Sequence, residues 1–209
     1  MYFIRHGQSL GNQLGVFLGH TDLDLSELGY RQAACTAQYL KDIKIDKVYS
    51  SDLLRAYNTC GEYLKVTGKE AEKTTELREI FVGQWENQPF DYLQEHFKQS
   101  YGIWLSDLGS ARPEDGESIA ELEQRIVRFC ERVAKENDGK TVALFTHATV
   151  IRAFFNYAYG RPLKEIQNLH WVTNASVSSV EYCDGKFTVS EYGTDGFLSG
   201  LKTELPTNV

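Results

Sequence analysis

The apolar positions of this chain fall into short blocks whose period changes from one block to the next. Tyr2–Ile4 is an apolar run of strand length, and Leu25–Leu40 carries helical spacing with Ser26 as a candidate N-cap. Lys47–Tyr49 predicts a second short strand, which runs into Ser50, Ser51 and Asp52. The helix expected next puts Leu53, Tyr57, Cys60 and Leu64 on one face. Ser118-Ile119-Ala120-Glu121 has the form of a capping box, with Ser118 as N-cap and Glu121 reaching back to it. It opens a helix whose apolar face holds Ile119, Leu122, Ile126, Phe129 and Val133. Thr141–Phe145 reads TVALF, a continuous apolar run expected of a central parallel strand covered on both sides. His147 follows, then a helix over Val150–Tyr159. Two late strands, Ser176–Tyr182 and Lys186–Ser190, are joined by the hairpin signal Cys183-Asp184-Gly185.

Strands alternating with helices predict an α/β fold, a three-layer sandwich with a mostly parallel central sheet and helices on both faces. No repeat, low-complexity tract or linker interrupts the chain, so a single domain over residues 1–209 is expected. Ligands of such sheets bind in the crevice beyond the strand C-termini, which locates function before any chemistry is considered.

Composition narrows the partners. A 42% apolar and 24% charged chain is globular rather than disordered. Its formal net charge of −7 argues against nucleic acid or an anionic membrane surface, both of which call for a basic face. A small anionic substrate remains compatible, because a few arginines in a cleft override the global field. The N-terminus lacks the pattern of a signal peptide, and no apolar run approaches the roughly 18 residues of a membrane span. Cys35, Cys60, Cys130 and Cys183 stand singly, without a CxxC pair. Cys60 and Cys130 fall on apolar helix faces and read as small buried hydrophobes. The expected compartment is the reducing cytoplasm.

The predicted strand ends carry the chemistry. The first strand delivers Arg5-His6-Gly7-Gln8-Ser9, the second leads to Arg55, and TVALF delivers Thr146-His147. Any one exposed Arg or His is ordinary surface. Two of each converging on one sheet edge suit phosphoryl transfer, in which catalysis is mostly positioning and charge stabilisation. Arginine stays protonated and its planar fork grips two oxygens at once. A neutral imidazole can attack phosphorus and form a phosphohistidine. Gly7 is expected to let the backbone approach the phosphate. The leaving alkoxide needs a general acid. Glu79, in Leu77-Arg78-Glu79, is the candidate, its pKa raised if Trp85 shields it from water. An ordinary surface glutamate beside Arg78 is the bland alternative, and Glu86 is a competing acid.

These segments resemble the histidine phosphatase superfamily, in its phosphoglycerate-mutase-like branch, over essentially the whole chain. RHGQSLGN (Arg5–Asn12) looks like the phosphohistidine motif of that family and GHTDLDLSELGYRQA (Gly19–Ala33) like the segment after it. SSDLLRAYNT (Ser50–Thr59) resembles the second arginine motif, and LREIFVGQWEN (Leu77–Asn87) the acid-bearing segment. PEDGES (Pro113–Ser118), THATVIR (Thr146–Arg152) and NASVS (Asn174–Ser178) complete the order. The resemblance implies that His6 is the nucleophile, that Arg5, Arg55 and His147 hold the phosphoryl oxygens, and that Glu79 donates the proton. It implies a phosphate hydrogen bond from Asn12, and one from the backbone N–H of Ala148, with no metal and no cofactor. Ala148 and Asn87 stand where the family usually has glycine, and local crowding is expected at Ala148.

Hydrolysis of a small phosphorylated metabolite is favoured over mutase chemistry. Gln84–Leu108 contains a single lysine, Lys98, and Arg112 stands alone before PEDGES, so little charge is available to hold a second anionic group. Other readings are a zinc hydrolase built on His6, His147 and a carboxylate, and a non-catalytic sensor of a phosphorylated metabolite. Two arginines beside a metal speak against the first. Intact nucleophile and acid positions speak against the second. Asp22 and Asp24 in His20-Thr21-Asp22-Leu23-Asp24 read as a turn rather than metal ligands. Gly61 to Gly68-Lys69 has the wrong spacing for a P-loop. Tyr92, Phe97, Tyr101 and Trp104 form either a lid or, as their spacing favours, the buried face of one helix. Sugar phosphates, α-ribazole phosphate and phosphoglycerates all remain open as substrates. Oligomeric state, a homodimer included, is open as well.

Overall fold

A computed structural model of the chain describes residues 1–204. Strands β1 (Tyr2–Arg5), β2 (Lys47–Ser51), β3 (Glu72–Thr74) and β4 (Val142–Thr146) run parallel. Strand β5 (Val177–Cys183) pairs antiparallel with β1, and β6 (Lys186–Thr194) antiparallel with β5. The sheet order is β3-β2-β4-β1-β5-β6.

Period-two alternation sends neighbouring residues of a strand to opposite layers. Phe3, Val142 and Leu144 pack with the helix Ile119–Glu136 and with Val150, Phe154 and Phe155 of Ala148–Ala158. Ile4, Val48, Ala143 and Phe145 pack with Ala37 and Leu40 of Glu27–Leu40, and with Cys60 and Tyr63 of Leu54–Thr67. Two helical layers therefore enclose the sheet, as expected of a strand that is apolar on both faces. Phe154 stacks on Phe3 at 4.6 Å between ring centroids. Truncating a buried aromatic of this kind costs about 3–5 kcal/mol, so these layers are the main support of the sheet edge that carries the site.

The helices, numbered along the chain, are α1 (Leu10–Leu14), α2 (Glu27–Leu40), α3 (Leu54–Thr67), α4 (Phe90–His96), α5 (Lys98–Ser106), α6 (Ile119–Glu136) and α7 (Ala148–Ala158). Ser26 caps α2 by accepting from the Gly29 N–H, and both hydrogen bonds of the Ser118–Glu121 capping box are formed on α6. The β5–β6 hairpin turns through Asp184 (φ 51°) and Gly185 (φ 79°), the left-handed pair that a two-residue turn requires.

Two expectations shift, and one strand appears that the sequence did not announce. The buried face of α3 is Arg55, Ala56, Thr59, Cys60 and Tyr63, with Tyr57 and Leu64 only half-buried. Apolar spacing had put Tyr57 and Leu64 inward, but the helix is rotated so that the Arg55 guanidinium reaches the site. The aromatic stripe from Tyr92 to Trp104 spans two helices, because Phe97 ends α4 and begins α5 with a non-helical φ/ψ of −120°/40°. Strand β3 carries only exposed or half-buried residues, Glu72, Lys73 and Thr74, and so has no apolar signature to read.

Candidate active site

Parallel strands end on the same side, so β1, β2 and β4 deliver Arg5 and His6, Ser51, and Thr146 and His147 to one edge. His6 is buried there. Its N–H donates to the Thr146 carbonyl at 3.0 Å, and its own carbonyl accepts from the Ala175 N–H (3.1 Å) and Asn174 Nδ2 (3.2 Å). Nδ1 lies 2.7 Å from the Gly7 carbonyl oxygen. A carbonyl can only accept, so Nδ1 carries the hydrogen and Nε2 keeps its lone pair. Burial, reinforced by Arg55 and Arg5, pushes the imidazole pKa well below its ordinary value, which leaves His6 neutral at pH 7.

The glycine after it makes a close backbone contact that the sequence did not announce. A Cβ on Gly7 would stand 2.4 Å from the Gly29 carbonyl oxygen in the first turn of α2, and the Gly7 N–H donates to Thr59 Oγ1 at 3.0 Å. Gly7 is thus required by the close packing of two backbone segments.

Arg55 sits in the first turn of α3, buried, and donates from Nη1 to the Thr21 carbonyl (3.0 Å) and from Nη2 to the Gly19 carbonyl (2.7 Å). Arg5 donates from Nη1 to the Val172 carbonyl, while its buried Nε has no partner among the described residues. Burial lowers both guanidinium pKa values to about 10 against the pull of Glu79, so both remain cationic at pH 7.

His147 ends β4 and N-caps α7, fully buried, with its ring centroid 5.2 Å from that of His6. Its Nε2 lies 2.9 Å from Ser51 Oγ, which also accepts from the Leu53 N–H at 3.4 Å. With the Ser51 hydroxyl donating to Nε2, the hydrogen of the neutral ring is on Nδ1, an atom with no partner among the described residues. Burial, then Arg55, lowers the His147 pKa well below the ordinary value. His147 stands behind the open cleft rather than on its lining.

The two glutamates separate cleanly. Glu79 is buried on the cleft lining, its Oε1 accepting from the Ile80 N–H (2.9 Å) and its Oε2 from the Thr149 N–H in the first turn of α7 (3.2 Å). Those bonds and Arg55 favour the carboxylate, yet desolvation outweighs them and its pKa is raised. Trp85 is not the shield that was expected: it packs among Phe17, Tyr101 and Trp104, and its indole N–H donates to Glu114. The backbone beside Glu79 is held by His20 Nε2–H donating to the Glu79 carbonyl (3.0 Å) and by Arg125, which donates to the Glu76 and Arg78 carbonyls. Glu86 instead accepts from the backbone N–H groups of Gly19, His20 and Thr21 and from the Thr21 hydroxyl. It fastens the loop whose carbonyls hold Arg55. Asp22 and Asp24 are turn and cap residues, accepting from the Leu54 N–H and from the Leu25 N–H, Tyr30 and Asn58.

Asn12 lines the cleft and closes a capping box on α1, its Oδ1 accepting from the Ser9 N–H and from Asn174 Nδ2, each at 3.1 Å. Ala148 also borders the cleft. The cleft encloses about 640 Å³ with its open mouth. Its floor is Arg5, His6, Arg55, Glu79 and Thr149. Its wall is Val16, Phe17, Leu18, Phe90, Trp104 and Trp171.

A profile of the histidine phosphatase superfamily (branch 1) matches residues 1–195. The chain belongs to the histidine phosphatase superfamily. It is 30% identical over 180 residues to phosphoserine phosphatase 1 of Hydrogenobacter thermophilus, which covers 86% of this chain and 85% of that protein. It is 26% identical to the adenosylcobalamin/alpha-ribazole phosphatase of Salmonella typhimurium, over 90% of this chain and 93% of that one. Among solved structures, mycobacterial glucosyl-3-phosphoglycerate phosphatase in complex with VO3 superposes with a TM-score of 0.86 at 27% identity, over 93% of this chain and 98% of that chain.

Within this histidine phosphatase, the residues that carried the resemblance converge: Arg5, His6, Asn12, Arg55, Glu79 and Ala148 on the cleft and His147 behind it. Asn87, where glycine is usual in the family, has φ 59°, a left-handed conformation that asparagine tolerates better than most residues. Sequence reasoning assigned no role to Ser51, Thr149, Asn174 or Trp171. Ser51, Thr149 and Asn174 lie inside the motifs that carried the resemblance, but nothing in the sequence announced their contacts with His147, Glu79 and His6 respectively. Trp171 lies in none. Among the described residues, no group of three His, Cys, Asp or Glu is placed to hold a metal ion, and no helix is long and apolar enough to cross a membrane.

Proposed function

We propose that His6 Nε2 is the nucleophile of this phosphatase and Glu79 its general acid. The enzyme hydrolyses a phosphomonoester of a small metabolite through a phosphohistidine. Nε2 attacks phosphorus as the P–O bond to the alcohol breaks, and the departing oxygen takes the Glu79 proton. Glu79, now a carboxylate, takes a proton from water, whose oxygen attacks phosphorus and breaks the P–N bond. Inorganic phosphate leaves and His6 is neutral again. Arg5 and Arg55 balance the charge of the phosphoryl oxygens. Nδ1–H of His147, the amide NH2 of Asn12 and the Ala148 N–H are the further donors in this reading.

The single observation that carries it is the tautomer of His6. The Gly7 carbonyl, 2.7 Å from Nδ1, fixes the hydrogen there, and burial, reinforced by Arg55 and Arg5, keeps the ring neutral, so Nε2 is a free base at pH 7. Hydrolysis is favoured over mutase chemistry because, among the described residues, Arg5 and Arg55 are the only cationic side chains on the cleft lining. A bisphosphate needs a second cationic anchor. Arginines in place of a metal support chelator-insensitive activity. The match over residues 1–195 supports a single catalytic domain, and four free cysteines favour a reducing, cytoplasmic setting.

The test is a product analysis with 3-phosphoglycerate and catalytic 2,3-bisphosphoglycerate. Inorganic phosphate, or no product, is expected. Formation of 2-phosphoglycerate faster than phosphate release would replace the phosphatase reading with a mutase one.

A further inference from the structure

The geometry points to a substrate whose alcohol portion carries a planar apolar ring and no carboxylate, an inference that rests on the phosphatase reading above. The cleft is divided by chemistry. Among the described residues, Arg5, Arg55 and Glu79 are its only charged side chains, all on the floor, and both arginines also donate to backbone carbonyls, of Val172 and of Thr21 and Gly19. Away from the floor and the uncharged Ser9, Asn12 and Thr149, the rest of the lining is apolar or aromatic: Val16, Phe17, Leu18, Phe90, Trp104, Ala148 and Trp171.

That wall is braced as well as apolar. Trp104 and Trp171 lie nearly parallel, with an interplanar angle of 18° and 6.4 Å between centroids. Phe17 meets Trp104 edge-on at 5.1 Å and Phe90 at 5.9 Å. Behind Trp171, the buried Arg152 guanidinium stacks on the indole at 4.1 Å and donates to the Gln167 carbonyl, so this cation supports the wall and does not serve the ligand. The Phe17 segment is stitched to the segment before α4 by paired backbone bonds, Phe17 N–H to the Gln88 carbonyl and Asn87 N–H to the Phe17 carbonyl, each 2.8 Å. A pre-formed apolar wall favours a flat ring, because burial gains free energy without ordering new side chains. A carboxylate placed there loses its hydration and, among the described residues, meets no cation on the cleft lining besides the two arginines of the floor.

The discriminating measurement compares kcat/KM for four alkyl phosphates with poor leaving groups: 2-phenylethyl phosphate, ethyl phosphate, O-phosphoserine and 3-phosphoglycerate. Expected is a preference of roughly tenfold or more for the phenylethyl ester over each of the others. In Trp171→Leu the phenylethyl-to-ethyl ratio should fall by roughly 3–10-fold. That ratio is internal to one preparation and is indifferent to the fraction of variant that folds. Equal or better turnover of phosphoserine or 3-phosphoglycerate, or an unchanged ratio in Trp171→Leu, overturns the inference while leaving the phosphatase reading in place. Failure to hydrolyse any of the four, with no phosphoenzyme formed, overturns both.

Discussion

The floor and the wall of the cleft are built by different means. The floor is anchored at the sheet edge: Arg5 ends β1 and His6 follows it, Ser51, Thr146 and His147 at the ends of β2 and β4 back it, and hydrogen bonds between elements hold them there. The wall comes from loops and short helices, at residues 16–18, Phe90, Trp104 and Trp171, and is held by aromatic packing. Buried charges need fixed partners and tolerate little displacement, whereas apolar contacts are non-directional and can be repacked. The division implies that floor variants slow every substrate, and wall variants reorder substrates.

The largest effect is expected at His6. His6→Ala should lower turnover by on the order of 10⁴-fold or more on every phosphomonoester. Acid-labile, base-stable phosphate should be trapped on the wild type and not on the variant. Labelling retained by His6→Ala would move the nucleophile, and a loss confined to some substrates would erase the floor–wall division.

Glu79→Gln is expected to cost about 10²–10⁴-fold on alkyl phosphates and much less on p-nitrophenyl phosphate, whose leaving group departs unaided. The pH profile carries the same information. His6 must be neutral, and its pKa is depressed, so activity is lost only as pH falls through that lowered value. Glu79 must be protonated, and its pKa is raised, so activity is lost as pH rises through that raised value. The alkaline limb should vanish in Glu79→Gln for alkyl substrates. Its persistence there would assign the acid elsewhere.

Glu86 tests the floor one step back. Acting through the loop that seats Arg55, Glu86→Gln should reduce kcat/KM by roughly 3–10-fold, equally on alkyl and p-nitrophenyl substrates, with the alkaline limb intact. The leaving-group asymmetry appearing in Glu86→Gln instead would exchange the two glutamates. The smallest effect belongs to chelation. Hydrolysis rates with and without EDTA should agree, and activity abolished by EDTA and restored by zinc would sink the arginine-based floor.

The chain's own pattern determined the layered α/β fold and the Ser118–Glu121 capping box, and it singled out Arg5, His6, Arg55, Glu79 and His147 as the candidates for chemistry. Buried strands demand apolar runs, helix starts demand particular caps, and phosphoryl chemistry demands a few uncommon side chains, so each leaves a local trace. Other features leave none. Thr149, Asn174 and Ser51 act through single hydrogen bonds that many residue types can make, and which partner they find depends on segments far apart in sequence. Trp85, inside a motif, is buried among Phe17, Tyr101 and Trp104, whereas Trp171, outside every motif, borders the cleft over Arg152. Nor could spacing reveal that α3 rotates to bring Arg55 inward, or that Glu86 turns to the Gly19–Thr21 backbone while Glu79 is desolvated. Only the tertiary structure decided these, because desolvation and partner choice are set by what other segments bring to a position, not by the residue that occupies it.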